Sequence, residues 1–177
     1  EPGLRSLESG RSMMAAIRAL APRLTVENRV QLRWETFATE ALDVLDWAMD
    51  APLKPSLAFN DHLSMSLRGA ETTLQGRLFE HNPEFEVMSF DDNVLFERRH
   101  SKQIQRSGLK YECFKALVKD VWTRRDAVPS IIREVANKAR QRKVPMLSHD
   151  DTQAETRRFY RELGATNSEF PMTVGAV

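Results

Sequence analysis

The sequence predicts an α/β protein whose helices alternate with the strands of a parallel sheet. Two observations carry that expectation. Three short apolar runs, at 28–34, 55–59 and 144–147, have the length of strands, and the first alternates Val30, Leu32 and Trp34 with polar residues. Around and between these runs, apolar residues recur at helical spacing. The resulting order, helix, strand, helix, strand, helices, strand, helix, is that of βα units, and either a doubly wound sheet or a barrel would satisfy it. A whole barrel takes about 250 residues, more than the 177 of this chain.

Each element has its own signal. Met13, Ile17 and Leu20 predict an amphipathic helix over 4–21, stopped by Pro22. Asn28 to Trp34 follows as the first strand. Phe37, Ala41, Val44, Leu45 and Ala48 make the next helix, which ends before Pro52, and Pro55 to Phe59 is the second strand. The stretch 62–108 is polar and poorly periodic, and Tyr111, Phe114, Val118, Val121 and Trp122 form a helical stripe beyond it. Together, 64–125 reads as a helical insertion covering the strand ends, because it far exceeds ordinary βα loops. Val128, Ile131, Ile132, Val135 and Ala139 predict the clearest helix, with Pro129 suited to its first turn. Val144 to Leu147 is the third strand. Thr152 and Glu155 then have capping-box spacing for a helix that Gly164 closes. Residues 1–177 read as a single domain.

Composition narrows the class. Hydrophobic residues are 41% and charged residues 29%, the balance of a globular protein and not of a disordered or fibrous one. Lys plus Arg total 26 against 25 Asp plus Glu, so the basic excess that a sequence-independent nucleic-acid binder needs is missing, and no nucleic-acid partner is expected. No apolar run approaches the roughly 20 residues of a membrane span, and the first residues lack a signal-peptide pattern, so no membrane partner is expected either. Cys113 is the only cysteine and cannot form an internal disulfide, which suits a reducing cytoplasm.

The chemistry gathers behind the strands. The first run leads into Glu35, the second into Asn60, Asp61 and His62, and the third into Ser148, His149, Asp150 and Asp151. Active sites of parallel α/β proteins lie at the carboxyl ends of strands. Three successive strand ends thus send a carboxylate and two imidazoles to one face, and these are standard ligands of a hydrolytic metal. Each also has a plainer explanation. Glu35 could favour a helix N-terminus, and Asp150 or Asp151 could cap the following helix.

Other features carry less. The basic run Arg98, Arg99, His100, Lys102 and Arg106 could meet phosphates, or form a solvated face balanced by Asp91, Asp92 and Glu97. Arg140, Arg142 and Lys143 suit a helix C-terminus. Cys113, inside a helical stripe, reads as core and not as a nucleophile. There is no glycine-rich phosphate loop and no serine elbow.

Four blocks resemble a known family. Val144–Asp151 (VPMLSHDD), followed by Ser168–Pro171 (SEFP), is similar to the ribose-triphosphate diphosphatases of the carbon–phosphorus lyase route, within the amidohydrolase superfamily. Arg29–Glu35 (RVQLRWE) and Phe59–His62 (FNDH) resemble two further strand ends of that family, in the same order. The resemblance implies a partial (β/α)8 TIM-like metal-dependent hydrolase barrel with about half of the strands and a long helical insertion. It implies that Glu35 bridges two divalent metals, zinc or manganese, and that His62 and His149 each ligate one. Asp61 and Asp150 take catalytic roles by the same likeness, and Arg33 and Glu169 substrate-binding ones. The substrate implied is α-D-ribose 1-methylphosphonate 5-triphosphate, hydrolysed to the 5-phosphate and pyrophosphate.

Two departures qualify the likeness. The family's first-strand His-x-Asp pair and last-strand Asp are absent, so the chain is expected to be a central segment, inactive alone, that forms a homo-oligomer or associates with the rest of the barrel. After His62 the chain reads Leu63–Ser66 (LSMS) where the family has Ser/Thr-Pro-Gly-Gln. The alternative is a non-catalytic barrel fragment, a binding or scaffold protein without a complete metal site.

Overall fold

Residues 6–170 are described by the computed structural model. Four strands, β1 (Gln31–Glu35), β2 (Ser56–Asn60), β3 (Met146–His149) and β4 (Asn167–Glu169), form one sheet in that order, each neighbouring pair parallel. The strands sit later than periodicity predicted. Pro55 and Pro145 have no N–H to give a ladder, and pairing begins beyond them, with Ser56 N donating to Val30 O at 3.0 Å. The shift draws Glu35, Asn60 and His149 into the sheet, where they had been expected to follow it.

Register divides the side chains into two faces. Leu32, Trp34, Leu57, Phe59 and Met146 share one. They pack with Leu45 and Met49 of α2 (Leu42–Met49), with Val128, Ile132, Val135, Ala136 and Ala139 of α6 (Val128–Gln141), and with Tyr160 of α7 (Ala154–Glu162). Phe59 stacks on Tyr160 with ring centroids 5.2 Å apart. The other face carries Gln31, Arg33, Glu35, Ala58, Asn60, Leu147, His149, Asn167 and Glu169, none of which joins an apolar core.

That polar face is concave. A flat sheet would hold the first and fourth strands about 14 Å apart, at three strand spacings. Yet Gln31 of β1 donates from Nε2 to Glu169 Oε2 of β4 at 3.1 Å. Two side chains of this length meet across two intervening strands only if the sheet curls towards them.

Helix α1 (Leu7–Leu20), capped by Ser6, packs on α2. Arg18 lies 4.0 Å over the Trp47 ring and donates to the carbonyls of Trp47 and Ala48, the last turn of α2, which has no glycine cap. The expected start of α1 before residue 6 lies outside the described residues.

The stretch between β2 and α6 has its own core. It comprises α3 (His62–Leu67), an irregular segment at 68–92, α4 (Asn93–Ser107) and α5 (Tyr111–Trp122). Leu67, Met88, Leu95, Phe96 and Val118 are its centre, and Trp122 joins it to the main core by stacking on Phe37 at 5.5 Å. Helix α4 falls in the poorly periodic stretch because its inner stripe includes a histidine. His100 is buried there, its Nε2 3.0 Å from Ser66 Oγ, and burial lowers its pKa. Asp92 caps this helix and Gly108, at φ 68°, ends it. Arg99 donates to the carbonyls of Ser66, Arg68, Gly69 and Ala70, so two members of the basic run are internal fasteners and not a solvated face. Only an isolated antiparallel bridge, Arg68 to Val87, occurs here among the described residues. The irregular segment docks on α7 through Thr156 Oγ1 to Glu80 Oε2 (3.0 Å) and Gln153 Nε2 to Gln75 O (2.8 Å).

Two expectations are corrected. Cys113 is exposed on α5 and not core, because α5 buries Val118 on the opposite side. The N-cap of α7 is Gln153, without a side-chain cap bond, so the helix starts one residue after the Thr152–Glu155 box predicts, and neither Asp150 nor Asp151 caps it. Among the described residues, no helix is long and apolar enough to cross a membrane.

Candidate metal centre at the strand ends

The site grows from how β2 stops. Asp61 is buried and caps α3, accepting from Ser64 N at 2.8 Å and Ser64 Oγ at 2.7 Å. That cap makes His62 the first helical residue, with its backbone N–H free to point at β1. Glu35 takes both donors of His62: Oε2 accepts from the backbone N at 3.2 Å, and Oε1 lies 2.5 Å from Nδ1. Burial pushes the Glu35 carboxyl up, but the hydrogen bond and charge of His62 outweigh it, and its pKa falls below the ordinary value. For His62 the bond to Glu35 is the largest effect and raises the pKa. Burial opposes it, and the charges of Glu35 and Asp150 add to it.

β3 ends in a tight corner. Asp150 adopts the left-handed conformation at φ 56°, which aspartate tolerates better than most residues, and its N–H donates to Glu169 O at 2.9 Å. The corner turns the Asp150 carboxylate back over the sheet. There its Oδ2 lies 3.1 Å from His62 Nε2 and 2.9 Å from His149 Nδ1. His149 is buried, and its Nδ1 makes no hydrogen bond of acceptable direction despite that short approach. Its Nε2 meets the Arg33 guanidinium and lies 3.7 Å from Glu169 Oε2.

His62, His149 and Asp150 form a group that could hold a divalent ion. Nitrogen and oxygen ligands at about 2.0–2.2 Å from an ion stand roughly 3.0–3.6 Å from each other. His62, His149 and Asp150 each offer an atom, and all three atoms lie within 4.8 Å of one another. The orphaned, buried Nδ1 of His149 is the atom such an ion would satisfy. Arg33 sets a condition on this. A guanidinium only donates, so while Arg33 contacts Nε2 the ring proton sits on Nδ1. An ion held at Nδ1 would need that proton on Nε2, on the side where Glu169 Oε2 stands 3.7 Å away.

The structure therefore gathers Glu35, His62, His149, Asp150, Arg33 and Glu169 on the concave face. Asp150, expected in a catalytic role, supplies the third donor of the compact group, while Glu35 holds His62 from behind. Asp61, also expected to be catalytic, is not brought there. It faces α3, the buried Glu80 and the half-buried His81. Glu35 and His62 keep 45% and 48% of their side-chain surface exposed, so the site is open to a ligand.

Gln31 went unassigned in the sequence, and Asp151 was named there only behind the third strand and as a possible helix cap. Asp151 stood in plain view beside Asp150, but the spacing Ser148, Asp151 and Ser168, which it bridges, has no local meaning. No protein-family model, curated protein or solved structure matches the chain.

Proposed function

We propose that the chain forms part of a divalent-metal hydrolase site on a segment of a (β/α)8 barrel of the amidohydrolase kind. The observation that carries this reading is the Asp150 carboxylate oxygen standing between the imidazoles of His62 and His149. The curled sheet supports the barrel segment, with a polar concave face and the helices α2, α6 and α7 packed on the other face. The outer strands β1 and β4 suit association with further strands, from another copy or from the rest of the barrel.

The substrate proposed from the four motif blocks is α-D-ribose 1-methylphosphonate 5-triphosphate, cleaved to the 5-phosphate and pyrophosphate. A bound zinc or manganese ion supplies an acidified water and offsets charge on a phosphoryl oxygen. The chain's own residues do the rest. His62, His149 and Asp150 hold the ion, Glu35 fixes the His62 ring, and Arg33 offers a cation to a phosphate beside His149. The described donors suffice for one ion, and the second ion of a complete site needs further ligands.

A non-catalytic binding module is the second reading, favoured by the Arg33 contact that keeps the proton on His149 Nδ1. Metal analysis separates the two. The chain is titrated with zinc and manganese beside a His62→Ala/His149→Ala variant, and pyrophosphate release is measured. One ion per chain, lost in the variant, supports the metal site of the hydrolase segment. Binding that the variant retains, or no binding, removes the metal site. Turnover near the ordinary range of about 1–1,000 per second would show that no further strands are needed.

A further inference from the structure

We propose that Asp151 is the positioning residue of the concave site, because its buried carboxylate ties the ends of β3 and β4 and so sets His149 and Asp150 against Glu169. One oxygen, Oδ2, accepts from Ser148 Oγ and from Ser168 Oγ, both at 2.6 Å. Such lengths belong to hydroxyl-to-carboxylate bonds, which are about twice as strong as neutral ones. Ser148 and Ser168 are register partners, and the next pair is His149 with Glu169. The clamp grips one face of the sheet one residue before the functional pair emerges on the other.

The tie acts where the sheet is weakest. β4 is only three residues long and lies at the edge. A slip of one residue would carry Glu169 to the opposite face. Asp151 also follows the left-handed Asp150 directly, so anchoring its side chain holds the corner that aims the Asp150 carboxylate at both imidazoles. Asp151 itself is fully buried and touches neither imidazole by any hydrogen bond or ion pair among the described residues. Its effect on the site passes through its neighbours.

The consequence for metal affinity rests on the proposed metal site, while the effect on His149 does not, and the test uses both. Ring-nitrogen NMR of the four histidines, without metal, compares the wild-type chain with Asp151→Ala, with Ser148→Ala/Ser168→Ala and with Asp151→Asn, and thermal melts establish that each is folded. Asp151→Ala and the double serine variant are expected to move the His149 ring shifts and leave those of His81 and His100 in place. Asp151→Asn keeps an acceptor oxygen for both hydroxyls and is expected to restore the wild-type His149 shifts. Zinc affinity should fall about 10- to 100-fold in the first two variants. If Asp151→Ala fails to fold, the double serine variant carries the test with the carboxylate intact. Unmoved His149 shifts in a folded double serine variant overturn the proposal, as does an Asn variant as disturbed as the Ala one. A wild-type chain that binds no zinc overturns the metal reading alone, since the His149 shifts still decide Asp151.

Discussion

Nε2 of His62 and Oδ2 of Asp150 stand 3.1 Å apart although 88 residues separate them. The first begins a helix after β2, the second turns the corner after β3, and their meeting makes two strand ends into one site. Asp150→Asn should keep the left-handed corner, which asparagine also tolerates. The expected outcome is a stability change within about 0.5 kcal/mol and a zinc affinity at least roughly tenfold lower. Chemical denaturation and chelator competition measure the two. Unchanged affinity would remove Asp150 from the donor set.

Glu35→Gln addresses the other side of His62. The bond to Glu35 is the largest cause of the raised His62 pKa, so the variant should bring it down towards the ordinary value of 6.5. The sign follows. A folded pKa raised above the unfolded one gives stability that is full below about 6.5 and lost as pH rises through the folded value. That contribution should shrink in the variant. An NMR titration of the His62 ring with the same midpoint in both proteins would contradict the assignment.

Asp61 and His81 oppose each other over one pH window. Burial, then the charge of Glu80, pushes the Asp61 carboxyl up to about 6, and burial pushes His81 down to about 4. Folded Asp61 keeps a proton that the unfolded chain loses near 3.8, so its contribution is full below that value and lost as pH rises through about 6. Folded His81 refuses a proton that the unfolded chain takes near 6.5, so its contribution is present above 6.5 and lost as pH falls through about 4. Asp61→Asn, which can still cap α3, removes one side of this balance. Stability should then climb with pH between about 4 and 6 more steeply than in the wild type, by up to about 1.4 kcal/mol per pH unit. Parallel slopes in urea denaturation across that window would refute it.

The Tyr160 hydroxyl is buried without a hydrogen-bond partner among the described residues, facing the charges of Glu80, Asp61 and Asp151. Those groups and its burial hold its pKa well above the ordinary value. Tyr160→Phe keeps the stack on Phe59 and deletes the orphaned oxygen. The expected gain is about 1 kcal/mol of stability, read from denaturation midpoints. A loss of similar size would mean that the hydroxyl does have a use.

Legibility followed the range of the interactions. Val30, Leu32 and Trp34 announced β1 because alternation records one buried face, and Val128 to Ala139 announced α6 for the equivalent helical reason. α4 was hidden because His100 and Arg99 occupy inner positions that an apolar pattern does not count. The starts of β2 and β3 were misplaced by one and two residues because Pro55 and Pro145 look apolar yet have no N–H to donate to a ladder.

The sequence alone determined the alternation of strands and helices, and that Glu35, His62 and His149 would lie at or beside strand ends, since both depend on local spacing. Only the tertiary structure decided which donors share a position. The curl of the sheet brings Gln31 to Glu169 and Arg33 to His149, and the left-handed backbone of Asp150 turns its carboxylate between two imidazoles while Asp61, one residue before His62, is spent on a helix cap. Those choices depend on curvature and backbone dihedrals, set by packing between residues far apart in the chain, and no local pattern of residues encodes them.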